Sequence, residues 1–174
     1  MRATAKKLKL VVALDFTRAI SFKGENVMNT YVKFKKLNED AIVPKYGSEN
    51  AACADLYACT PMPLYINPGE TRLIKTGIAM EIPEGLGGFI FARSGMATKQ
   101  GLAPANKVGV IDPDYRGEIM IALHNHSQEV RVVAHGERIA QIGFMPYVTA
   151  RFIETEELDD TTRGAGGFGS TGTN

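Results

Sequence analysis

The stretch RGAGGFGSTG, from Arg163 to Gly172, combines an arginine, an aromatic ring and two hydroxyl groups with five glycines. Its spacing is close to that of a phosphate-binding P-loop, but Ser170 stands where such a loop needs a lysine for the outer phosphates. Only Thr173 and Asn174 follow, whereas a P-loop leads into a helix whose N-terminus holds phosphate. A Walker-type NTPase is therefore excluded. Two interpretations stay open, a flexible glycine-rich tail and a segment that wraps a phosphate bound elsewhere.

A second polar stretch, ARSGMA, places Arg93 directly before Ser94 and Gly95. We expect a short helix from Ser94 to Gln100, at whose start a guanidinium, a hydroxyl and free backbone N–H groups converge on one phosphate. Taken alone, the same pattern also describes an N-cap serine beside a surface arginine.

Asp112 follows an apolar run and opens the turn sequence DPDYRG. The pattern predicts that Asp112 lies at the tip of a hairpin, where a rigidly held carboxylate can take a proton from water as a general base. Asp-Pro-Asp is also a common turn sequence, so this residue alone does not decide between a catalytic and a structural role.

The composition of the 174 residues is that of one ordinary domain with short additions. A net charge of +1 argues against nucleic acid or an anionic membrane surface as the main partner. The two cysteines, Cys53 and Cys59, suit free thiols in a reducing compartment, so we expect a cytoplasmic protein. In the HNH triplet, His124 and His126 share one face of a strand, and we interpret them as strand-surface residues rather than as a nuclease or zinc site.

The elements that must position these groups are β-strands. YVKFKKL, IKTGIAMEI and EIMIALHN alternate apolar and polar residues, and turn signals separate them at NPGE, PEGLGG and DPDYRG. This rhythm predicts an antiparallel sandwich or barrel of residues 28–153. We expect residues 1–27 to form a poorly ordered extension. The alternatives are a transit peptide and a segment ahead of Met28 that is not normally translated. Residues 154–174 read as a solvated tether and a mobile glycine-rich arm.

Five stretches together resemble the five motifs of the trimeric dUTPases (deoxyuridine triphosphate nucleotidohydrolases), in the expected order. They are AACADLYA, ARSGMA, NKVGVIDPDYRG, GERIAQIGF and RGAGGFGSTG. The resemblance implies an all-β distorted jelly roll and a homotrimer with active sites shared between subunits. It also implies Mg²⁺-dependent hydrolysis of dUTP to dUMP and pyrophosphate, which lowers dUTP and supplies dUMP for thymidylate synthesis.

The resemblance assigns a role to each motif residue. Asp112 would deprotonate the water that attacks the α-phosphorus, and Ser94 would act near the phosphate bridge. Asp55 and Gln141 would act from outside the coordination shell of Mg²⁺, which has no direct protein ligand. Tyr115 would lie on the deoxyribose. The remaining substrate-binding residues would be Arg93 and Gly95 on the phosphates, Asn106, Val110, Ile111 and Met120 around uracil, and Arg163, Phe168, Gly169, Ser170 and Thr171 from the arm.

Two alternatives to this function stay open. One is a dCTP deaminase-type enzyme of the same fold, although the aspartate and tyrosine of motif three are of the hydrolase type. The other is a nucleotide-sensing regulatory protein that binds the triphosphate without needing to cleave it.

The arm from Glu154 to Asn174 spans about 65–70 Å when extended at ~3.3 Å per residue, enough to reach a neighbouring subunit.

Overall fold

The computed structural model describes residues 30–167, which form eleven β-strands and one short helix. The predictions for residues 1–27 and for Phe168, Gly169, Ser170 and Thr171 lie outside the described residues. Within residues 30–167, no helix is long and apolar enough to cross a membrane.

The strands are β1 (Lys33–Lys36), β2 (Lys45–Tyr46), β3 (Ala54–Tyr57), β4 (Leu64–Ile66), β5 (Thr71–Glu81), β6 (Leu86–Phe91), β7 (Leu102–Pro104), β8 (Gly109–Ile111), β9 (Glu118–Asn125), β10 (Arg131–Val133) and β11 (Arg138–Pro146). The helix, Met96–Gln100, lies between β6 and β7.

All strand pairs are antiparallel and belong to three sheets. A four-stranded sheet has the order β1-β5-β9-β7, a five-stranded sheet has the order β2-β3-β11-β6-β8, and β10 pairs with β4. From β5 to β9 the chain changes between the two larger sheets at every strand. This crossing pattern is that of a distorted jelly roll and confirms the predicted all-β fold.

The core lies between the two larger sheets. On β9, Ile119, Ile121 and Leu123 are buried and alternate with partly exposed residues, as the sequence predicts. On β5, Ile74 and Ile78 are fully buried. The strand β1 is also predicted correctly, but its four residues are exposed because it forms the edge of its sheet.

A β-bulge interrupts β5 between Lys75 and Ala79. Within it Gly77 has φ +68°, and a Cβ there would come 2.7 Å from the Cβ of Ala41. The Gly77 N–H donates to Glu118 Oε1 at 2.8 Å, which satisfies an amide that the bulge removes from the ladder. The bulge in β5 is therefore held by the first residue of β9.

The short helix forms where the sequence predicts it. The helical turn starts at Ser94 and continues as a π-helix over Met96–Gln100, and Gly101 ends it with φ 69°. The N-cap is Gly95, so the cap carries no side-chain hydrogen bond. Ser94 does not cap this helix and its side chain is exposed, which removes the structural alternative for that residue.

The hairpin predicted around Asp112 is wrong. The strand before it, β8, pairs with β6, whereas the strand after it, β9, pairs with β5 and β7 in the other sheet. The predicted turn does form, because the Tyr115 N–H donates to the Asp112 carbonyl at 3.1 Å. Asp112 thus lies on the crossover between the two sheets, since strand pairing follows the jelly roll rather than sequence neighbours.

Candidate active site

Three neighbouring strands of the five-stranded sheet place Asp55, Gln141 and Phe91 side by side. Gln141 on β11 lies opposite Asp55 on β3 and opposite Phe91 on β6. Directly opposite residues in neighbouring strands point to the same face of a sheet, so Asp55 and Gln141 share a face. Arg93 follows two residues after Phe91, just beyond the end of β6.

Asp55 is held between two guanidinium groups. Arg93 Nε donates to Asp55 Oδ1 at 2.7 Å, and Arg138 Nη1 donates to Asp55 Oδ2 at 3.3 Å. The Asp55 side chain is only 13% exposed, and both bonds are charge-assisted. Arg93 Nη1 also donates to the Arg138 carbonyl at 3.3 Å. The carboxylate therefore fixes the direction of both arginines.

Gln141 fixes the backbone that leads into this cluster. Its Nε2 donates to the Ala92 carbonyl at 2.9 Å, immediately before Arg93. The Arg93 carbonyl then accepts from the Ala97 N–H at 2.9 Å, and the Ser94 carbonyl accepts from Thr98 Oγ1 at 2.7 Å. Ser94 and Gly95 are exposed at the start of the helical turn, with their backbone held by these bonds.

A cavity of about 260 Å³ opens over the cluster. Its lining residues are Gly47, Ala51, Cys53, Asp55, Arg93, Ser94, Gly95, Arg138 and Gln141. Two arginines against one carboxylate leave a net positive charge, and a helical turn with an exposed hydroxyl begins at its rim. Burial raises the pKa of the Cys53 thiol, so it stays protonated and unreactive at neutral pH. This cavity is suited to bind a phosphate group.

Asp112 lies in a different cavity, of about 780 Å³. Val110 lines it as well, and the charged residues around it are Glu81, Glu84, Asp114 and Arg116. The strand β8 that leads to Asp112 is the edge of its sheet, so among residues 30–167 one side of its backbone has no strand partner. Such an edge can pair with a flat hydrogen-bonding group, as a nucleobase would require.

Ile111 is the last residue of this edge strand, and Asn106 lies in the turn before it. A Cβ on Gly109 would come 3.3 Å from Asn106 Nδ2, so the absence of a side chain lets the amide approach the strand. Ile111 is partly buried against the core. Met120 lies on β9 in the other sheet, opposite Lys75.

Tyr115 lies across its own turn. Its hydroxyl donates to the Glu118 carbonyl at 3.1 Å, and 42% of the residue stays exposed. A Cβ on Gly117 would come 2.6 Å from the ring atom Cζ of Tyr115, so only glycine leaves room for this ring position. One face of an exposed aromatic ring is thereby held in a fixed place.

The described part of the arm is exposed from Glu154 to Ala165. It closes a small turn in which Arg163 Nε donates to the Gly166 carbonyl at 2.9 Å and the Gly164 N–H donates to Thr161 Oγ1 at 3.1 Å. Arg163 thus bonds to its own loop, and the structure does not bring it to either cavity.

Within one chain the predicted site residues fall into two groups. The first is Asp55, Arg93, Ser94, Gly95 and Gln141 around the smaller cavity, and the second contains Val110 and Asp112 around the larger one. Among residues 30–167, no three His, Cys, Asp or Glu side chains are grouped as a metal would need.

Two residues that hold the candidate site together were missed by sequence reasoning. Gly117 makes room for Tyr115, and Arg138 shares the carboxylate of Asp55. Arg138 lies in GERIAQIGF, but the β-bulge between Arg138 and Ala140 that alters the register there is not visible in the sequence. The glycine directly before Glu118 in DPDYRG was a usable signal for a close contact.

A family model for dUTPase matches residues 39–172. The deoxyuridine 5'-triphosphate nucleotidohydrolase of Desulfitobacterium hafniense is 47% identical over 148 residues, which cover 84% of this chain and 98% of that protein. This chain belongs to the dUTPase family. The corresponding enzyme of Nautilia profundicola is 50% identical over 141 residues, which cover 81% of this chain and 98% of that one.

Solved dUTPase structures share the fold. The dUTPase of Staphylococcus bacteriophage 80alpha with dUpNHpp superposes with a TM-score of 0.72 at 27% identity, covering 83% of this chain and 99% of that one. A phage phi11 dUTPase, described with a structural Mg(II) ion, superposes with a TM-score of 0.65 at 25% identity, covering 74% of this chain and 98% of that one. The five motifs that resemble dUTPases therefore belong to a chain of that family and fold.

Proposed function

We propose that this chain is a Mg²⁺-dependent dUTP diphosphatase, which cleaves dUTP to dUMP and pyrophosphate by attack of water on the α-phosphorus. The observation that carries the proposal is the cluster in which Asp55 holds Arg93 at 2.7 Å beside Ser94 and Gly95. The names of the two relatives and the dUpNHpp bound to the phage 80alpha enzyme support dUTP as the substrate.

The arginine cluster binds the phosphates and stabilises the charge that develops on them. Arg93 loses little side-chain entropy on binding, because Asp55 already fixes its guanidinium. The exposed hydroxyl of Ser94 lies at the start of the helical turn, beside the place where negative charge builds on the leaving phosphate. Preorganised donors of this kind are worth more than donors that must reorient during the reaction.

Asp112 acts as the general base. Its carboxylate is exposed on a turn closed by the Tyr115 N–H, so a water molecule can approach it while its backbone stays fixed. General-base help contributes roughly 10²–10⁴ in rate. The rest of the acceleration comes from the phosphate cluster and from alignment of the attacking water.

The residues present fit a Mg²⁺ ion that is carried mainly by phosphate and water oxygens. Asp55 is already shared between Arg93 and Arg138, and Gln141 uses its Nε2 on the Ala92 carbonyl. The side-chain oxygen of Gln141 would remain to accept a hydrogen bond from water beside the ion, because Mg²⁺ is reluctant to lose its hydration shell. When bound, the ion would neutralise charge on the phosphates. The phi11 enzyme, described with a structural Mg(II) ion, supports the choice of metal.

The segment that crosses from β8 to β9 between the two sheets selects the base and the sugar. The free edge of β8, from Val110 to Ile111, offers backbone groups to the uracil edge, with Asn106 on one side and Met120 on the other. Cytosine would leave these groups unpaired once the base covers them. Tyr115, fixed over Gly117, lies against the deoxyribose and excludes a 2′-hydroxyl.

A homotrimer with shared sites accounts for the separation of the two groups. Asp112 and the arginine cluster line different cavities of one chain, so a complete site needs groups from a second copy. The arm of residues 154–174, with Phe168 on uracil and Arg163, Gly169, Ser170 and Thr171 on the phosphates, closes a site of another copy. A chain that ends at Thr162 should still bind dUMP but turn dUTP over poorly, and normal turnover would contradict the arm's role.

A nucleotide panel with Mg²⁺ tests the function. We expect pyrophosphate release from dUTP and little from dTTP, dCTP and UTP. Comparable turnover of UTP would contradict the role of Tyr115. Ammonia release from dCTP would replace the proposal by a deaminase, and tight dUTP binding without turnover would replace it by a nucleotide-sensing protein.

A further inference from the structure

The HNH triplet at the end of β9 has a buried centre that is fixed by its side chain. Asn125 is 0% exposed, and its Nδ2 donates to the carbonyls of Ile66 at 2.9 Å and of Glu129 at 2.7 Å. Residues on either side of a buried strand residue point the other way, so His124 and His126 both face outward. Asn125 thereby anchors the backbone between two imidazoles.

The backbone of the triplet is also bonded to two neighbouring segments. The Asn125 N–H donates to the Glu70 carbonyl at 3.0 Å, and its carbonyl accepts from the Gly69 N–H at 2.9 Å. The His126 N–H donates to the Gly101 carbonyl at 2.8 Å. The two histidines therefore extend from a backbone that is held on both sides.

Thr71 holds one of the two rings. It lies directly opposite His124 in the ladder between β5 and β9, and its Oγ1 lies 2.8 Å from His124 Nδ1. When this hydroxyl accepts the Nδ1 proton, the other ring nitrogen of His124 carries a free lone pair. A hydrogen bond on the far nitrogen is what orients a metal-binding histidine in known sites.

The two rings have a separation close to the one that a shared metal ion requires. Their centroids are 4.4 Å apart and their planes are inclined by 64°. Metal–nitrogen bonds of about 2.0–2.1 Å place the centres of two rings on one tetrahedral ion about 5 Å apart. The edge-to-face contact of the two rings is slightly closer than that, so binding would separate and turn the rings.

In place of the interpretation from sequence as mere strand-surface residues, we propose that His124 and His126 form a two-histidine site for a divalent late transition-metal ion such as Zn²⁺ or Ni²⁺, with water completing the coordination. Imidazole nitrogens favour these ions, whereas Mg²⁺ favours oxygen ligands. Among residues 30–167, no third His, Cys, Asp or Glu joins the pair, so the remaining positions go to water. Neither histidine lines the two cavities of the candidate active site.

The charges around the pair set the strength of binding. Lys107 lies close enough to act on the charge of His126. Its positive charge repels a cation, so the site is of moderate rather than high affinity.

Calorimetric titration of the full chain with Zn²⁺ tests the site, without an affinity tag, without nucleotide and in a non-coordinating buffer. We expect saturable micromolar binding. His124→Gln and His126→Gln should each weaken it by at least about tenfold. His135→Gln is the matched control, because it removes the third histidine of the chain, and it should leave the affinity within about twofold. The proposal would be overturned if the His124→Gln and His126→Gln variants bound Zn²⁺ as tightly as the unaltered chain, or if the unaltered chain did not bind it.

Two further measurements separate this site from the Mg²⁺-dependent reaction. Thr71→Val should weaken Zn²⁺ binding by about tenfold, because it frees the His124 tautomer. An excess of Mg²⁺ should not displace Zn²⁺ from the pair, and displacement at equal concentration would contradict imidazole ligation. The variants His124→Gln and His126→Gln should keep Mg²⁺-dependent dUTP turnover, which shows that they are folded. Loss of Zn²⁺ binding with turnover retained supports the metal site independently of the proposed function.

Discussion

Arg93 Nε donates a 2.7 Å hydrogen bond to Asp55 Oδ1, and this bond joins the end of β6 to β3 across the intervening strand β11. The pair is well shielded, with 25% of the arginine side chain and 13% of the aspartate side chain exposed. A charge-assisted bond in such a place orders the phosphate-binding residues before any ligand arrives.

Asp55→Asn should remove the charge that balances both arginines. We expect a loss of about 1.5–3 kcal/mol in unfolding free energy, because hydrogen bonds to charged groups are worth that much. The turnover of dUTP by this variant should fall as well. Glu129→Gln is the control, since it breaks an ion pair with Arg131 at 3.1 Å that lies outside both cavities, where about 0–1 kcal/mol is at stake. Thermal unfolding and steady-state kinetics of both variants give the comparison. Equal losses in the two would contradict the special role of Asp55.

Arg138→Gln should weaken dUTP binding less than Arg93→Gln does. Arg138 makes the longer bond to Asp55, at 3.3 Å, and 53% of its side chain is exposed. We expect KM for dUTP to rise in both variants, with kcat falling mainly in Arg93→Gln. Arg131→Gln breaks an ion pair with Glu129 outside the cavity and should change neither constant. If Arg138→Gln proves more damaging than Arg93→Gln, the order of importance assigned to the two arginines is wrong.

Asp112→Asn should keep nucleotide binding and lose turnover by roughly 10²–10⁴, which is the range of general-base help. Asp114→Asn offers a close comparison, because Asp114 lines the same cavity two residues further along. Single-turnover kinetics with dUTP, together with binding of a non-hydrolysable analogue, separates the chemical step from affinity. Full activity in Asp112→Asn would remove this residue as the base.

Gly117→Ala should displace the ring of Tyr115, since a Cβ there would come 2.6 Å from its Cζ. We expect the ratio of kcat/KM for dUTP over UTP to fall, because the ring no longer excludes the 2′-hydroxyl. Tyr115→Phe removes only the hydrogen bond from the hydroxyl to the Glu118 carbonyl and should alter the ratio less. An unchanged ratio in Gly117→Ala would separate sugar selection from the position of the ring.

The proton titration of His126 should have its midpoint below 6.5, because burial, then His124 and then Lys107 lower its pKa. A folded-state pKa below the unfolded value means that the folded chain binds fewer protons in this interval. The free energy of unfolding should therefore decrease as the pH falls from above 6.5 through the folded-state pKa. NMR of the ring protons in the metal-free chain measures the midpoint. His124→Gln should raise the midpoint only partly, because the desolvation of the His126 ring remains. A midpoint at or above 6.5 in the unaltered chain would contradict the described environment of His126.

The sequence predicts local features of the fold well and long-range pairing poorly. The alternation of Ile119, Ile121 and Leu123 defines β9 because each residue's exposure depends only on the period of the strand. The partner of β8 depends instead on the jelly-roll crossing, so the hairpin expected at Asp112 does not form. The candidate site was predicted to the same extent. The sequence motifs indicated Asp55, Arg93 and Gln141, which are local features. The place of Arg138 depends on the register shift in β11, which the sequence does not reveal.

The row of Asp55, Gln141 and Phe91 draws on three segments that are far apart in the chain and meet only in the completed sheet. Under the proposed function, a nucleotide bound there would have affinity for the assembled sheet and none for the separated strands. Its binding would then add RT ln(1 + [L]/Kd) to the folding free energy, or about 2.7 kcal/mol at a hundredfold excess over Kd. The concentration of nucleotide around the protein would thus determine how long each molecule survives unfolding and proteolysis.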